Sequence, residues 1–255
     1  MDSANVVTSF SYESPRHPHA GIAAVKRHLL NPLAKTTGDR VIGVAPYHRN
    51  HRAFPNRHVA TVYPCFRGER VPVEIQQDAD DPSWFYLRPR DEDVCVRLSE
   101  PPFFNGHRDN LYRANEDSGE NVRLLIRDSL LASSALRLAV PWLVGADVPC
   151  TFLLHDWEAA TYAMLPRRHD TERRYLVWHN SYDSGGVHPS VLRDFGVTDK
   201  FADTGLHPTV LERVMASHYI EPEIFVVSQQ FAHELIEDLL QRLMIPHLIP
   251  YLEEA

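Results

Sequence analysis

Cysteine is sparse in this chain. Cys65, Cys95 and Cys150 are odd in number, far apart and without Cys-x-x-Cys spacing, which argues against both a disulfide framework and a zinc–thiolate site. Cys95 and Cys150 sit in apolar runs and read as buried small hydrophobes. A basic excess is lacking too: the formal net charge is −8 and the pI about 6.0, which counts against a nucleic-acid partner. No charged-then-apolar leader opens at Met1 and no apolar run approaches membrane-spanning length, so a cytoplasmic chain without membrane contact is expected. Internal repeats and low-complexity segments are missing as well.

What is present is alternation. With 255 residues, 44% of them hydrophobic, the chain has the size of one large α/β domain, residues 1–255. Val6–Phe10 reads as a strand, Ala20–Leu33 as a helix with Ile22, Val25, Leu29 and Leu33 on one face, and Val41–Val44 as a second strand. That is a right-handed parallel βαβ start. Between His58 and Leu98, the short runs Tyr63–Phe66, Val71–Ile75, Trp84–Leu87 and Val94–Leu98 read as a small β-rich excursion of antiparallel character. Pro101–Glu120 is polar and reads as a loop. Further on, Asn121–Leu138 has the pattern of a long amphipathic helix, Thr151–Leu154 of a buried strand and Glu158–Met164 of a short helix. Tyr175–Trp178 and Ile224–Val227 read as strands, and Gln229–Leu243 as a helix. The expected architecture is Rossmann-like: a mostly parallel sheet with helices on both faces.

Three successive apolar strands end in polar residues: His155-Asp156-Trp157, His179-Asn180 and Ser228. In a parallel sheet, ligands bind outside the carboxyl ends of the strands. These residues are therefore expected along one cleft, and with them Gly21, at the start of the first helix.

The same segments carry a resemblance. Leu154-His155-Asp156-Trp157-Glu158-Ala159 resembles the His-Asp-Trp-His motif of bacterial glycogen synthases and plant starch synthases. Trp178-His179-Asn180-Ser181-Tyr182-Asp183-Ser184-Gly185 is similar to their His-Asn-x-x-Tyr-Gln-Gly segment, and Val226-Val227-Ser228-Gln229-Gln230-Phe231-Ala232-His233-Glu234 to their Thr-Val-Ser-x-x-Tyr-Ala-x-Glu segment. Ala20-Gly21-Ile22 stands where the family has a Gly-Gly-Leu loop, and Glu120-Asn121-Val122-Arg123-Leu124 where it has Asp-Asn-x-x-Arg-Phe. The five segments occur in the family's order along nearly the whole chain.

The resemblance implies the N-terminal, acceptor-side half of a GT-B glycosyltransferase, with the nucleotide-sugar-binding C-terminal domain absent from this sequence. It implies retaining glucosyl transfer from ADP-glucose or UDP-glucose to a glucan or small sugar acceptor, completed by a C-terminal domain in cis or in trans, and it implies no cofactor. A glycan-binding or scaffold protein that keeps one half of the fold is the alternative, and self-association is expected of an isolated half. By the resemblance, His155 is the catalytic candidate, hydrogen bonding to a sugar hydroxyl near the reacting carbon. Asp156, His179, Asn180 and Tyr182 are substrate-binding candidates, and Gly21 and Ala20 nucleotide-sugar candidates. Asp156 either orients His155 or caps the helix near Trp157; Trp157 reads as core; His179-Asn180 reads either as cleft lining or as a plain strand-to-turn junction. Two departures stand out: the family's first-loop Lys is Pro18 here, leaving Arg16, His17 and His19 as the nearby cations, and its second motif His is Glu158. His17, His19, His48, His51 and His58, with Arg49 and Arg52, read as a solvated basic rim, not a metal site.

Overall fold

A computed structural model describes residues 5–16, 21–49, 53–105, 118–180, 182–198, 201, 206–238, 243 and 245–254. Its frame is an eight-stranded sheet in the order β10-β9-β8-β1-β2-β7-β6-β3. The strands are β1 (Val6–Ser11), β2 (Arg40–Pro46), β3 (Asn56–Val62), β6 (Val73–Asp78), β7 (Trp84–Pro89), β8 (Cys150–His155), β9 (Arg173–Trp178) and β10 (Ile224–Val226); β4 (Cys65–Phe66) and β5 (Glu69–Arg70) pair apart as a small hairpin. From β10 to β7 every pairing is parallel, while β7–β6 and β6–β3 are antiparallel. The β-rich excursion is this antiparallel corner.

Strand β1 sits centrally and is buried along its whole length. A strand covered on both faces shows a continuous apolar and β-branched run instead of alternation. Helix α1 (Gly21–Thr37) leads from β1 to β2 and ends against Gly38, whose φ of 74° is the left-handed value that favours glycine at a helix end. Beneath α1 lies a small core of Val7, Leu30, Val41, Trp84 and Tyr86, with Leu33 and Ala34 packed on it. Of the face expected on α1, Leu33 packs on this core while Leu30 is buried and Leu29 half-buried; the side chains of Ile22 and Val25 lie outside the description. Gly43 makes room for this layer: a Cβ there would lie 2.6 Å from the Trp84 ring. The opposite face carries the larger core, with Phe10, Ile42, Val44, Leu87, Phe152 and Leu154 under helix α3 (Ser118–Leu143). Small residues let α3 approach closely; Ser133 Oγ lies 2.7 Å from Thr161 Oγ1.

Two readings are corrected here. Val94–Leu98 belongs to a helix, α2 (Glu92–Leu98), not to a strand. Asp91 precedes it, Glu92 and Asp93 favour the positive end of its dipole, and Val94 and Cys95 are buried while Val96 is 79% exposed; the β-branched valines obscured a helical pattern. The strand expected at Tyr63–Phe66 lies mostly earlier, at Asn56–Val62. Of the helix expected over Gln229–Leu243, α7 (Gln229–Glu237) ends at the extended Asp238, and Leu243 is helical again; 239–242 lie outside the described residues.

A set of arginines ties the segment after α2 to α3. Glu100 pairs with Arg67 at 2.7 Å, Arg123 at 3.0 Å and Arg127 at 3.1 Å. The buried Arg127 also pairs with Asp128 at 2.7 Å, and Asp128 accepts the Phe104 backbone N–H at 2.7 Å. Arg49 pairs with buried Asp91 and, at 3.1 Å, with Glu92. Burial opposes ionisation of Glu100, but Arg123, Arg127 and Arg67 outweigh it and hold the carboxyl below the usual range.

Candidate active site at the carboxyl edge of the sheet

The chain leaves β1 for β2 on one side, and β8 pairs with β1 on the other, so a topological switch point lies at the carboxyl ends of β1 and β8. Ser11 is level with His155, and His155 with Val177. Side chains alternate between faces along a strand, so Val7, Ser9 and Ser11 share the α1 face with Leu153 and His155. There the two candidate histidines meet. His155 Nδ1 lies 2.7 Å from His179 Nε2, and His155 Nε2 lies 2.8 Å from Ser9 Oγ. His155 is buried and His179 half-buried, so His179 is the outer member of the pair and His155 stands behind it.

Asp156 opens helix α4 (Asp156–Ala160) but does not cap it; the residue in the cap position is His155, and it makes no side-chain cap bond. Asp156 instead reaches across to β9, where Oδ1 accepts the His179 backbone N–H at 2.7 Å and Oδ2 accepts the Asn180 side-chain N–H at 3.1 Å. The reading of Asp156 as a helix cap is thereby corrected. Its φ of 60° is costly for a non-glycine residue, and the cross-strand bonds hold it there. Asn180 Oδ1 accepts the Tyr182 backbone N–H at 2.9 Å, leaving the Tyr182 ring 67% exposed at the rim. Trp157 is core. Gly186 allows close approach of backbone: a Cβ there would lie 2.7 Å from the His207 carbonyl oxygen.

Behind Asp156 lies Glu158, also buried. Burial pushes the Asp156 carboxyl up to about 7, with Glu13 adding to it and the His179 hydrogen bond opposing it. Burial likewise raises Glu158 well above its ordinary range, helped by Asp156, Glu13 and Asp183. The charges bearing on these two groups are thus other acids. Asp183 in turn meets His247 Nε2 at 3.1 Å.

Helix α1 begins at Gly21 on this same edge. Ala20, His17, His19, His51 and Arg52 lie outside the described residues. Arg16 is engaged elsewhere: it bonds Asp78 through Nε at 2.8 Å and Nη2 at 2.6 Å, and Asp80 at 2.9 Å. The solvated-rim reading fails for His48, which is fully buried, with Nε2 2.8 Å from the Tyr12 carbonyl and its ring edge-on to Tyr12. Arg49 of that rim is paired with Asp91 and Glu92. Ser228 is the N-cap of α7, accepting the Phe231 N–H at 3.0 Å. Among the described residues no group of three His, Cys, Asp or Glu is arranged to hold a metal, and no helix is long and apolar enough to cross a membrane. Ser9, Glu13 and His247 join the site unannounced by any sequence motif, and Asp183 joins it from within the His179-Asn180 segment.

Neither a protein-family model nor a curated protein matches this sequence. Among solved structures, the catalytic domain of starch synthase IV from Arabidopsis thaliana, bound to ADP and acarbose, matches with a TM-score of 0.72 and 18% identity. The match covers 99% of this chain and 50% of that one. The alpha,alpha-trehalose 6-phosphate synthase from Burkholderia multivorans matches at 18% identity over 76% of this chain and 36% of that one, but at a TM-score of only 0.28. The fold is therefore a Rossmann-like, mostly parallel α/β sheet. In particular it is similar to half of a starch synthase catalytic domain, and this chain spans half that domain's length.

Proposed function

We propose that this chain forms the acceptor-side half of a glycogen- or starch-synthase-like glycosyltransferase, and that its cleft receives a glucan or small sugar acceptor. The observation that carries the reading is the joining of His155, Asp156, His179 and Asn180 into one hydrogen-bonded group at the switch point of a sheet similar to a starch synthase half. Neutral, fixed hydrogen-bonding groups suit sugar hydroxyls. In transfer, positive charge develops at the anomeric carbon and negative charge on the leaving phosphate, so preorganised polar groups matter most. His155 acts through the ring of His179, and Tyr182 offers a rim surface for the acceptor. Gly21, which opens α1, offers the backbone N–H end of that helix to the donor phosphates, and Ala20 stays a nucleotide-sugar candidate by the resemblance alone. Arg16, committed to Asp78 and Asp80, leaves neutralisation of a departing diphosphate to a donor-binding half in cis or in trans.

The test uses the purified chain with ADP-glucose or UDP-glucose and a maltooligosaccharide. Acceptor binding by calorimetry without nucleotide release is expected, with binding weakened by His179→Ala. Absence of any acceptor binding would remove the reading. Turnover by the chain alone, abolished by His155→Ala, would show that a second half is not needed. Self-association is assigned to the exposed Phe225 and Val227 of the β10 region, with Tyr175 against Phe225 at 5.4 Å between ring centroids; sedimentation velocity with Phe225→Ser measures it.

A further inference from the structure

The chain Ser9–His155–His179 has a direction that burial decides. Ser9 lies in the middle of β1 and its side chain is wholly enclosed. Its hydroxyl has one hydrogen-bond partner among the described residues, His155 Nε2 at 2.8 Å. His155 is itself 1% exposed, and its second nitrogen, Nδ1, meets His179 Nε2 at 2.7 Å, with the two rings tilted by 31° and their centroids 5.0 Å apart.

Two proton arrangements satisfy these distances. In one, Ser9 O–H donates to His155 Nε2, His155 Nδ1–H donates to His179 Nε2, and His179 carries its proton on Nδ1. In the other every donor is reversed: His179 Nε2–H donates to His155 Nδ1, and His155 Nε2–H donates to Ser9 Oγ. The second leaves the Ser9 hydroxyl proton buried with no acceptor, and an unmet buried donor is what folded proteins avoid. The first uses both protons that lie between the three side chains and leaves only the His179 Nδ1–H to the half-buried side of that ring. A third ring proton on the imidazole pair would have to place a proton on His155 Nε2, whichever way the His155–His179 bond runs, and would again strand the Ser9 hydroxyl proton.

From this we infer that Ser9 is a positioning residue: it fixes both His155 and His179 as neutral rings with the proton on Nδ1, so that the half-buried His179 meets the cleft in one tautomer only. This rests on the proposed acceptor role for the functional consequence: a sugar oxygen near His179 then meets a ring of constant hydrogen-bonding polarity, not one that switches between donor and acceptor. It does not rest on that role for the tautomer itself.

The experiment is long-range nitrogen–proton correlation NMR on the labelled chain, followed by maltooligosaccharide titration of the same samples. In the unmodified chain, both histidines should show a protonated, pyrrole-type Nδ1 and an unprotonated, pyridine-type Nε2. Ser9→Asp, which places a buried acceptor where the hydroxyl donates, should reverse the order and move His155 to the Nε2–H form, while Ser9→Thr, which keeps the hydroxyl, should leave it unchanged. A pyrrole-type Nε2 on His155 in the unmodified chain overturns the inference. So does a Ser9→Asp spectrum in which both tautomers are unchanged. In the titration, Ser9→Asp should weaken acceptor affinity about 3- to 10-fold, the worth of one well-placed hydrogen bond, with Ser9→Thr keeping it. Tautomers that shift as expected in a chain that binds no sugar would uphold the positioning role of Ser9 and defeat the acceptor reading instead.

Discussion

Two buried acidic clusters sit over the α3 face of the sheet, with Tyr12 between them, and they are built in opposite ways. Around Glu100 and Asp128, arginine meets each carboxylate: Arg67, Arg123 and Arg127 on the first, Arg127 on the second. Around Asp156 and Glu158, the bearing charges are Glu13, Asp183 and each other. Tyr12 hydrogen bonds to Asp128 and lies near Glu158, so burial and both acids push its hydroxyl well up. The first cluster has the anatomy of a structural clamp. The second keeps carboxyls in a setting that favours their neutral form, which folding alone gives no reason to maintain.

The largest expected effect comes from opening the clamp. Arg127→Ala strands Glu100 and Asp128 without their buried partner, and urea unfolding should show a loss of about 3–5 kcal/mol. A loss below about 1 kcal/mol would mean that solvent reaches the pair.

Next is the response to pH. The folded-state pKa of Asp156 is raised above its unfolded value, so its contribution is full at acid pH and is lost as pH rises through about 7. Between pH 5 and 8 this costs on the order of 2–4 kcal/mol. Asp156→Asn should flatten that decline. Glu100, held low, behaves inversely: its contribution is present above its unfolded pKa and fades as pH falls. Stability curves of the two variants that moved in the same direction would erase the contrast.

A matched pair of neutral substitutions sharpens it further. Glu100→Gln should cost about 1.5–3 kcal/mol, because three arginine bonds lose their charge. Glu158→Gln should lie within about 1 kcal/mol of the parent, and on the stabilising side at pH 8, because it removes an acid whose ionisation burial and the neighbouring acids oppose. The last effect is at the histidine pair: His179→Ala should lower maltooligosaccharide affinity about 5-fold and cost about 1 kcal/mol of stability, because it leaves the buried His155 Nδ1 without its partner.

The parallel frame was legible because buried strands and one-sided helices leave periodic signals, as at Val41–Val44 and Tyr175–Trp178. Val94–Leu98 misled because β-branched residues fill a helix there. The pairing of His155 with His179 followed from strand ends in a parallel sheet, which place polar residues on one edge. Ser9 was hidden because β1 is buried on both faces, so no alternation marks which side it faces. Asp156 looked like a cap because Asp before a helix usually is one; its left-handed backbone and its reach to His179 depend on a strand distant in sequence. The carboxylate cluster was only partly legible: Asp156, Glu158 and Asp183 lie in the quoted segments, but Glu13 and His247 enter from distant loops.

The central place of β1 also sets an order of assembly. Its pairing with β2 spans one helix, and the β6–β7 ladder closes over a short turn, so these can form early. Ser9 and His155 are 146 residues apart. Loop-closure entropy rises only by about 0.6 kcal/mol for each doubling of length, but non-local pairing slows folding across proteins generally. Docking of β8 onto β1 is therefore the expected late event, and it creates the histidine chain and brings Asp156 toward β9. A stopped-flow experiment would see the Trp84 layer acquire its native signal before the imidazole pair does, and a folding intermediate of this chain would carry a formed antiparallel corner and no cleft.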